Sequence, residues 1–271
     1  MIMYCSFNRW AGGKTRCLTM SYDDGVTADR RLVEIFNRYG IRGSFHLNGG
    51  WLGRDGYIAR EAAAGLYAGH EISAHGYTHP LLSRLPESVL AQQMIDDRRS
   101  LEALAGYPVR GMSYPYGDYS PRVIELLPAL GIEYARTVAA HGGFHIPENL
   151  LAWHPTCHHG DARLGDLTKR FVESQPGMLQ TLFYVWGHSY EFNNAGNWDL
   201  IENFCKSVAN DSQTWYATNI EVADYINAQR ALRATADGEC LFNPSAVSIW
   251  VDVHGQAVEV APGKVVHLAT A

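Results

Sequence analysis

No stretch of apolar residues in this chain is long enough to cross a bilayer, no block of basic residues interrupts it, and its cysteines show no paired spacing. Each absence excludes something. A transmembrane helix needs about 20 consecutive apolar residues, so no membrane partner is expected. Lysine and arginine number 22 against 28 acidic residues, for a net charge of -6, and without a basic patch nucleic acid is not an expected partner either. Five scattered thiols, Cys5, Cys17, Cys157, Cys205 and Cys240, read as reduced. Residues 1–16 have neither a basic start with an apolar run nor a small-residue cleavage site, so the expected location is the cytoplasm.

What is present is the composition of a globular protein, 46% hydrophobic and 18% charged over 271 residues, enough to bury a large core. Short β-rich runs alternate with helical patterns. Strands are expected near 17–22, 43–47, 70–74, 109–114, 132–137, 182–187 and 214–217, and the best helices near 28–39, 87–105, 121–130, 199–208 and 220–230. About seven β/α units imply parallel strands with helical crossovers, either closed as a barrel or open as a doubly wound sheet. After Arg230 the texture changes to two hairpins, 231–242 and 247–260, turning at Asp237-Gly238 and His254-Gly255. The expected division is therefore a unit of residues 1–230 and a small β appendage of residues 231–271.

Four clusters fall at expected strand ends, where both architectures place functional loops. The first, Ser21-Tyr22-Asp23-Asp24-Gly25, sets two carboxylates side by side; neighbours on a strand face opposite ways, so both reach one site only if the chain is already turning. One carboxylate can then hold a metal while the other moves protons, although Asp-Asp-Gly alone is more often a plain turn. The second, His75-Gly76-Tyr77-Thr78-His79-Pro80, spaces two imidazoles to share an ion; with one carboxylate they leave coordination positions open for water and substrate. The third is the turn Ser113-Tyr114-Pro115-Tyr116-Gly117, and the fourth ends a strand with His188 in Trp186-Gly187-His188-Ser189-Tyr190-Glu191. Alone, the third is more often a structural turn and the fourth a satisfied polar residue.

In this order the clusters resemble the polysaccharide deacetylase family, the NodB-homology or carbohydrate esterase family 4 group, over about residues 18–188. The resemblance, not the periodicity, implies a distorted (β/α) barrel of about seven parallel strands. It implies that Asp24, His75 and His79 hold a divalent metal, commonly Zn2+, and that Asp23 is the general base toward water bound on it. By the same resemblance His188 is the general acid, the backbone N–H of Tyr116 helps hold the oxyanion, and the partner is an acetylated carbohydrate, here a soluble oligosaccharide. Two departures matter. An arginine that pairs with the base is replaced by Ser113, and Arg110 lies too deep to substitute; no Asp-x-x-Asp-Trp element is evident around 148–153, leaving Glu191 or Asp161 to orient the acid. His46, His158 and His159, with Trp153, Trp186 and Tyr190 as stacking surfaces, are candidate substrate contacts. Two other readings stand beside this one: a C–N hydrolase of a small cyclic imide or ureide on the same fold, and a non-catalytic carbohydrate-binding relative.

Overall fold

The computed structural model describes residues 5–175, 177 and 179–268, so the outermost residues of the two expected units, 1–4 and 269–271, lie outside the described residues. Cys5–Ser6 form β1 and Arg16–Asp24 form β2, after which the alternation runs α1 (Asp29–Tyr39), β3 (Gly43–Leu47), α2 (Arg60–Leu66), β4 (Glu71–Ala74), α3 (Glu87–Ala105) and β5 (Gly111–Ser113). It continues with α4 (Pro121–Leu126), β6 (Tyr134–Arg136), β7 (Cys157–His158), α5 (Leu164–Val172), β8 (Thr181–Gly187), α6 (Tyr190–Ala195), α7 (Trp198–Val208), β9 (Thr214–Tyr216) and α8 (Asn219–Arg230).

Strands β2 to β9 form one parallel sheet in the order β6-β5-β4-β3-β2-β8-β7, with β9 also paired to β2. β9 takes the edge of β2 at residues 16–18, and β3 takes over at residues 20–24. Across the gap between β6 and β7, Trp153 bridges Arg136 and its N–H donates to Ala135 O at 2.9 Å, so the curled sheet is the distorted barrel that the resemblance implies. The longest strand explains the arrangement: all but the last residue of β2 is buried, as expected of a parallel strand covered on both faces. Helices supply the cover. Leu32, Val33, Ile35 and Phe36 of α1 face the core, and the helix stops where Gly40 takes the left-handed conformation at φ 65° and caps it.

The elements that periodicity missed are short: β7 has two residues, α2 seven and α6 six, and α5 is a nine-residue helix. Beyond α8, five strands β10 (Arg233–Ala234), β11 (Cys240–Phe242), β12 (Ile249–Val253), β13 (Gln256–Val260) and β14 (Val265–His267) make two antiparallel sheets, β10-β11-β14 and β1-β12-β13. The β12-β13 turn has positive φ at both His254 and Gly255, as a type I′ hairpin requires. β1 from the other end of the chain completes the second sheet. A core containing Cys17 and Leu182, at the starts of β2 and β8, joins these strands to the barrel through α8. The chemistry-bearing residues lie at the opposite, C-terminal ends of the strands.

Candidate active site

Asp23 and Asp24 reach one site because the backbone turns between them. Asp23 continues the β2 ladder opposite His46, whereas Asp24 has φ 82° and Gly25 φ 71°. Five described non-glycine residues have positive φ, and three of them, Asp24, His79 and Tyr116, line the same cavity of about 520 Å³. Such conformations cost on the order of 1–3 kcal/mol each and cluster where a site demands them.

Directly after β4, His75 enters the cavity floor. Asp97, buried on α3, accepts from the backbone N–H groups of His75 at 2.9 Å and Gly49 at 2.7 Å, and Asn48 Nδ2 donates to the carbonyls of His75 and Gly76. The loop is thus held from both sides. His75 Nδ1 donates to Ser113 O at 2.9 Å, which leaves Nε2 with its lone pair facing the cavity. Asp24 Oδ1 stands 3.6 Å from His75 Nε2 and 3.7 Å from His79 Nε2, too long for good hydrogen bonds, and is itself buried without a hydrogen-bond partner. These three ligand atoms can hold one metal ion. Burial and the neighbouring Asp23 carboxylate raise Asp24 to about 6, and burial lowers His75 to about 3.

The arginine absent at Ser113 enters from another strand. Arg136, fully buried at the end of β6, donates from its guanidinium to Asp23 Oδ2, and Ser113 Oγ donates to Asp23 Oδ1 at 2.9 Å. Burial works to raise the Asp23 carboxyl, yet Arg136, with smaller contributions from His75, His188 and His46, outweighs it and holds the group well below the usual carboxylate range. Trp186 lies under the guanidinium, 4.3 Å from its carbon. The sequence carried one signal for this residue: an arginine near the end of the expected strand 132–137. Arg110 pairs instead with Asp224 and Glu133, away from the cavity.

His188 follows β8, with Nε2 3.9 Å from Asp23 Oδ2. Behind it sits Glu191 on α6. Its Oε2 receives His158 Nε2 at 3.0 Å, His159 Nε2 at 3.1 Å and the His188 backbone N–H at 3.2 Å, while Oε1 stands 3.3 Å from His188 Nδ1. Burial pulls Glu191 upward, but the three imidazoles hold it well below its ordinary range. For His188, burial works to lower the imidazole, and Glu191, Asp23 and Asp24 together reverse that and raise it. Asp161 bonds to Arg163 and orients no histidine.

Among the expected substrate contacts, Trp186 and Tyr190 line the cavity, as does Tyr116, 68% exposed with its ring 4.3 Å from that of His79. Two others are corrected. Trp153 is 0% exposed and packs edge-on against Tyr134 and Tyr184, so the tryptophan that closes the barrel presents no face to a ligand. His46 is likewise 0% exposed, under the floor beside Asp23 rather than on the rim, because it points inward from β3. His159 is sandwiched between Tyr22 and Phe192 and reaches the site only through Glu191. Trp51, which carried no signal in the sequence, stacks on His79 at 5.4 Å.

Residues 11–135 match the family model for polysaccharide deacetylase. This stretch, from β2 into β6, is similar to the polysaccharide deacetylase family. Over 96 residues the chain is 25% identical to an uncharacterized Bacillus subtilis protein, YlxY, covering 35% of this chain and 29% of the other. Over 103 residues it is 26% identical to a peptidoglycan-N-acetylglucosamine deacetylase of Bacillus cereus, covering 37% and 36%. The matched stretch is thus about a third of the length of these curated relatives. A Mycobacterium smegmatis structure, provisionally assigned as a polysaccharide deacetylase, superposes with a TM-score of 0.60 at 18% identity, covering 85% of this chain and 96% of the other. A mutant of a Bacillus anthracis pseudoenzyme of carbohydrate esterase family 4 gives 0.52 at 15%, covering 77% and 67%. At these identities the superpositions establish the family's fold.

Proposed function

We propose that the chain is a metal-dependent hydrolase that removes N- or O-linked acetyl groups from a carbohydrate, a soluble oligosaccharide being the substrate to test first. The observation that carries this reading is the position of Asp23, 3.9 Å from both His75 Nε2 and His188 Nε2 in one cavity. A base, a ligand set and an acid then address the same reacting atom.

The residues fit a metal. One partnerless buried carboxylate oxygen and an imidazole with its lone pair turned inward are what a divalent ion requires, and one carboxylate with two imidazoles suits zinc. Asp24, His75 and His79 would hold the ion, which would supply Lewis acidity toward the attacking water and the acyl carbonyl. Asp23, kept ionised by Arg136, takes the proton from the attacking water as the new C–O bond forms. His188 gives the Nε2 proton to the departing amine or alkoxide as the old bond breaks. The backbone N–H of Tyr116 is the donor toward the acyl oxygen.

Screening the zinc-loaded protein for acetate release from chitooligosaccharides and acetylated plant oligosaccharides, with allantoin and cyclic imides alongside, tests the reading. Acetate is the expected product. Ring opening instead would move the protein to the imide or ureide class, and binding without turnover would leave a non-catalytic relative. His188→Ala should lose about 10²- to 10⁴-fold on an N-acetylated sugar, whose amine leaves poorly unless protonated, and far less on an activated aryl acetate. An equal decline on both would remove His188 as the acid.

A further inference from the structure

Three imidazoles around a single carboxylate form a second chemistry-bearing cluster, which meets the cavity at His188, and its ligand-like composition raises the question of a second metal. His158, His188 and Glu191 do offer three ligand atoms close enough to share one ion. The tautomer of His158 decides against it. The backbone N–H of Gly160 donates to His158 Nδ1 at 3.0 Å, so Nδ1 carries the lone pair and Nε2 the hydrogen. That hydrogen points at Glu191 Oε2, 3.0 Å away. A nitrogen that is already a donor offers no lone pair to a metal.

We propose that Glu191 is the positioning residue of His188, and that His158 and His159 act only by pinning Glu191. The proposal deepens the reading of His188 as the acid and rests on it. Oε2 has three N–H donors, from His158, His159 and the His188 backbone, and these fix the carboxylate plane. Oε1 is thereby turned to His188 Nδ1, at 3.3 Å. A hydrogen on Nδ1 directed at that oxygen leaves Nε2 as the atom that faces Asp23 and the substrate. At 3.3 Å the approach does not meet hydrogen-bond geometry in the free protein, where Nδ1 is buried with no other partner; catalytic hydrogen bonds commonly tighten only when substrate closes the site. His159 is itself immobilised: the ring lies so close to the Gly187 backbone that a Cβ there would sit 2.0 Å from Nδ1. Backbone packing thus sets His159, His159 and His158 set Glu191, and Glu191 sets His188.

The test uses the zinc-loaded full chain and two substrates, an N-acetylated chitooligosaccharide and an activated aryl acetate. Glu191→Gln should lose about 10- to 100-fold in kcat on the sugar, with KM little changed and the aryl acetate only mildly affected. In the His188→Ala background the same substitution should cost nothing further, since a residue that acts through His188 has nothing left to orient. His158→Leu should lose several-fold on the sugar alone, and that loss should vanish in the Glu191→Gln background. Unchanged zinc stoichiometry and melting temperature in each variant separate orientation from folding. Equal losses on both substrates, additivity with His188→Ala, or loss of a second equivalent of metal on replacing His158 would overturn the proposal. If His188→Ala itself spares the sugar, the failure belongs to the acid assignment and not to Glu191.

Discussion

Two groups of histidines face two carboxylates, one lining the cavity and one behind His188, and they are built oppositely. In the group of Asp24, His75 and His79 the nitrogen-to-oxygen distances are 3.6 and 3.7 Å; in the group of Glu191, His158 and His159 they are 3.0 and 3.1 Å. The first leaves room for an ion between the partners, and the second is closed by hydrogen bonds. The cause lies behind each ring. A backbone carbonyl, Ser113 O, accepts from His75 Nδ1, whereas a backbone N–H, that of Gly160, donates to His158 Nδ1. One turn of the chain presents oxygen to the far nitrogen and the other presents hydrogen. The near nitrogen becomes a lone pair in one case and a donor in the other. Residue type therefore does not distinguish a ligand from a brace; its backbone partner does.

The largest expected effect follows at once. Elemental analysis of the purified protein should find one divalent ion per chain, and Asp24→Ala or His79→Ala should abolish it while the fold persists. His158→Leu should leave the stoichiometry at one. An ion retained by the first two variants, or lost by the third, would erase the distinction between the groups.

Asp23 lies 3.9 Å from His75 Nε2 on one side and 3.9 Å from His188 Nε2 on the other, but is neutralised by neither. Its countercharge is Arg136. Arg136→Met should therefore leave the carboxylate buried without a cation, at a cost of about 3–5 kcal/mol in unfolding stability. Adding Asp23→Asn should recover most of that loss, because the charge that lacked a partner is gone. Denaturant titration of the two single variants and the double checks it, and additive losses would show that the pair is not coupled. Asp23→Asn alone should keep its metal and lose turnover.

Much of the first group was legible in the sequence and little of the second. An adjacent Asp pair before Gly25 and two imidazoles spaced four apart carry their geometry locally, since each motif lies within one strand-end turn. Arg136 was hidden because its partner is 113 residues away, brought close by the barrel and not by any spacing. Glu191 stood three residues after His188 and was one of two candidates, with Asp161, to orient it. The tautomer of His158 was not readable, because that ring's hydrogen is set by the backbone N–H the fold places behind it. Trp153 and His46 were misplaced for a related reason: periodicity locates a strand end, but the curl of the sheet decides which side chains turn into the core. The same limit explains β7, whose two residues are too few to show alternation.

A third buried histidine sharpens the comparison with the smallest effect. His70 has the brace pattern: the Gly43 N–H donates to Nδ1 at 3.1 Å, and Nε2 lies 3.1 Å from Asn37 Oδ1, so Nε2 carries the hydrogen. Burial, with the nearby Arg42 charge, lowers His70 to about 4. The folded chain thus holds this imidazole neutral at pH values where the unfolded chain protonates it. Stability from the neutral ring is fully present above the unfolded value near 6.5 and is lost as pH falls through the window down to about 4. At pH 5 the loss should be on the order of 2 kcal/mol. His70→Asn keeps an acceptor for Gly43 and cannot titrate. It should be less stable than the parent at pH 7, with the gap narrowing steadily toward pH 4.5. Melting both proteins across that range, with metal removed so that the histidines of the first group contribute equally to each, isolates the term. A gap that stays constant with pH would mean that His70 is not held neutral, and that a backbone N–H behind Nδ1 is not enough to set a ring's state in this barrel.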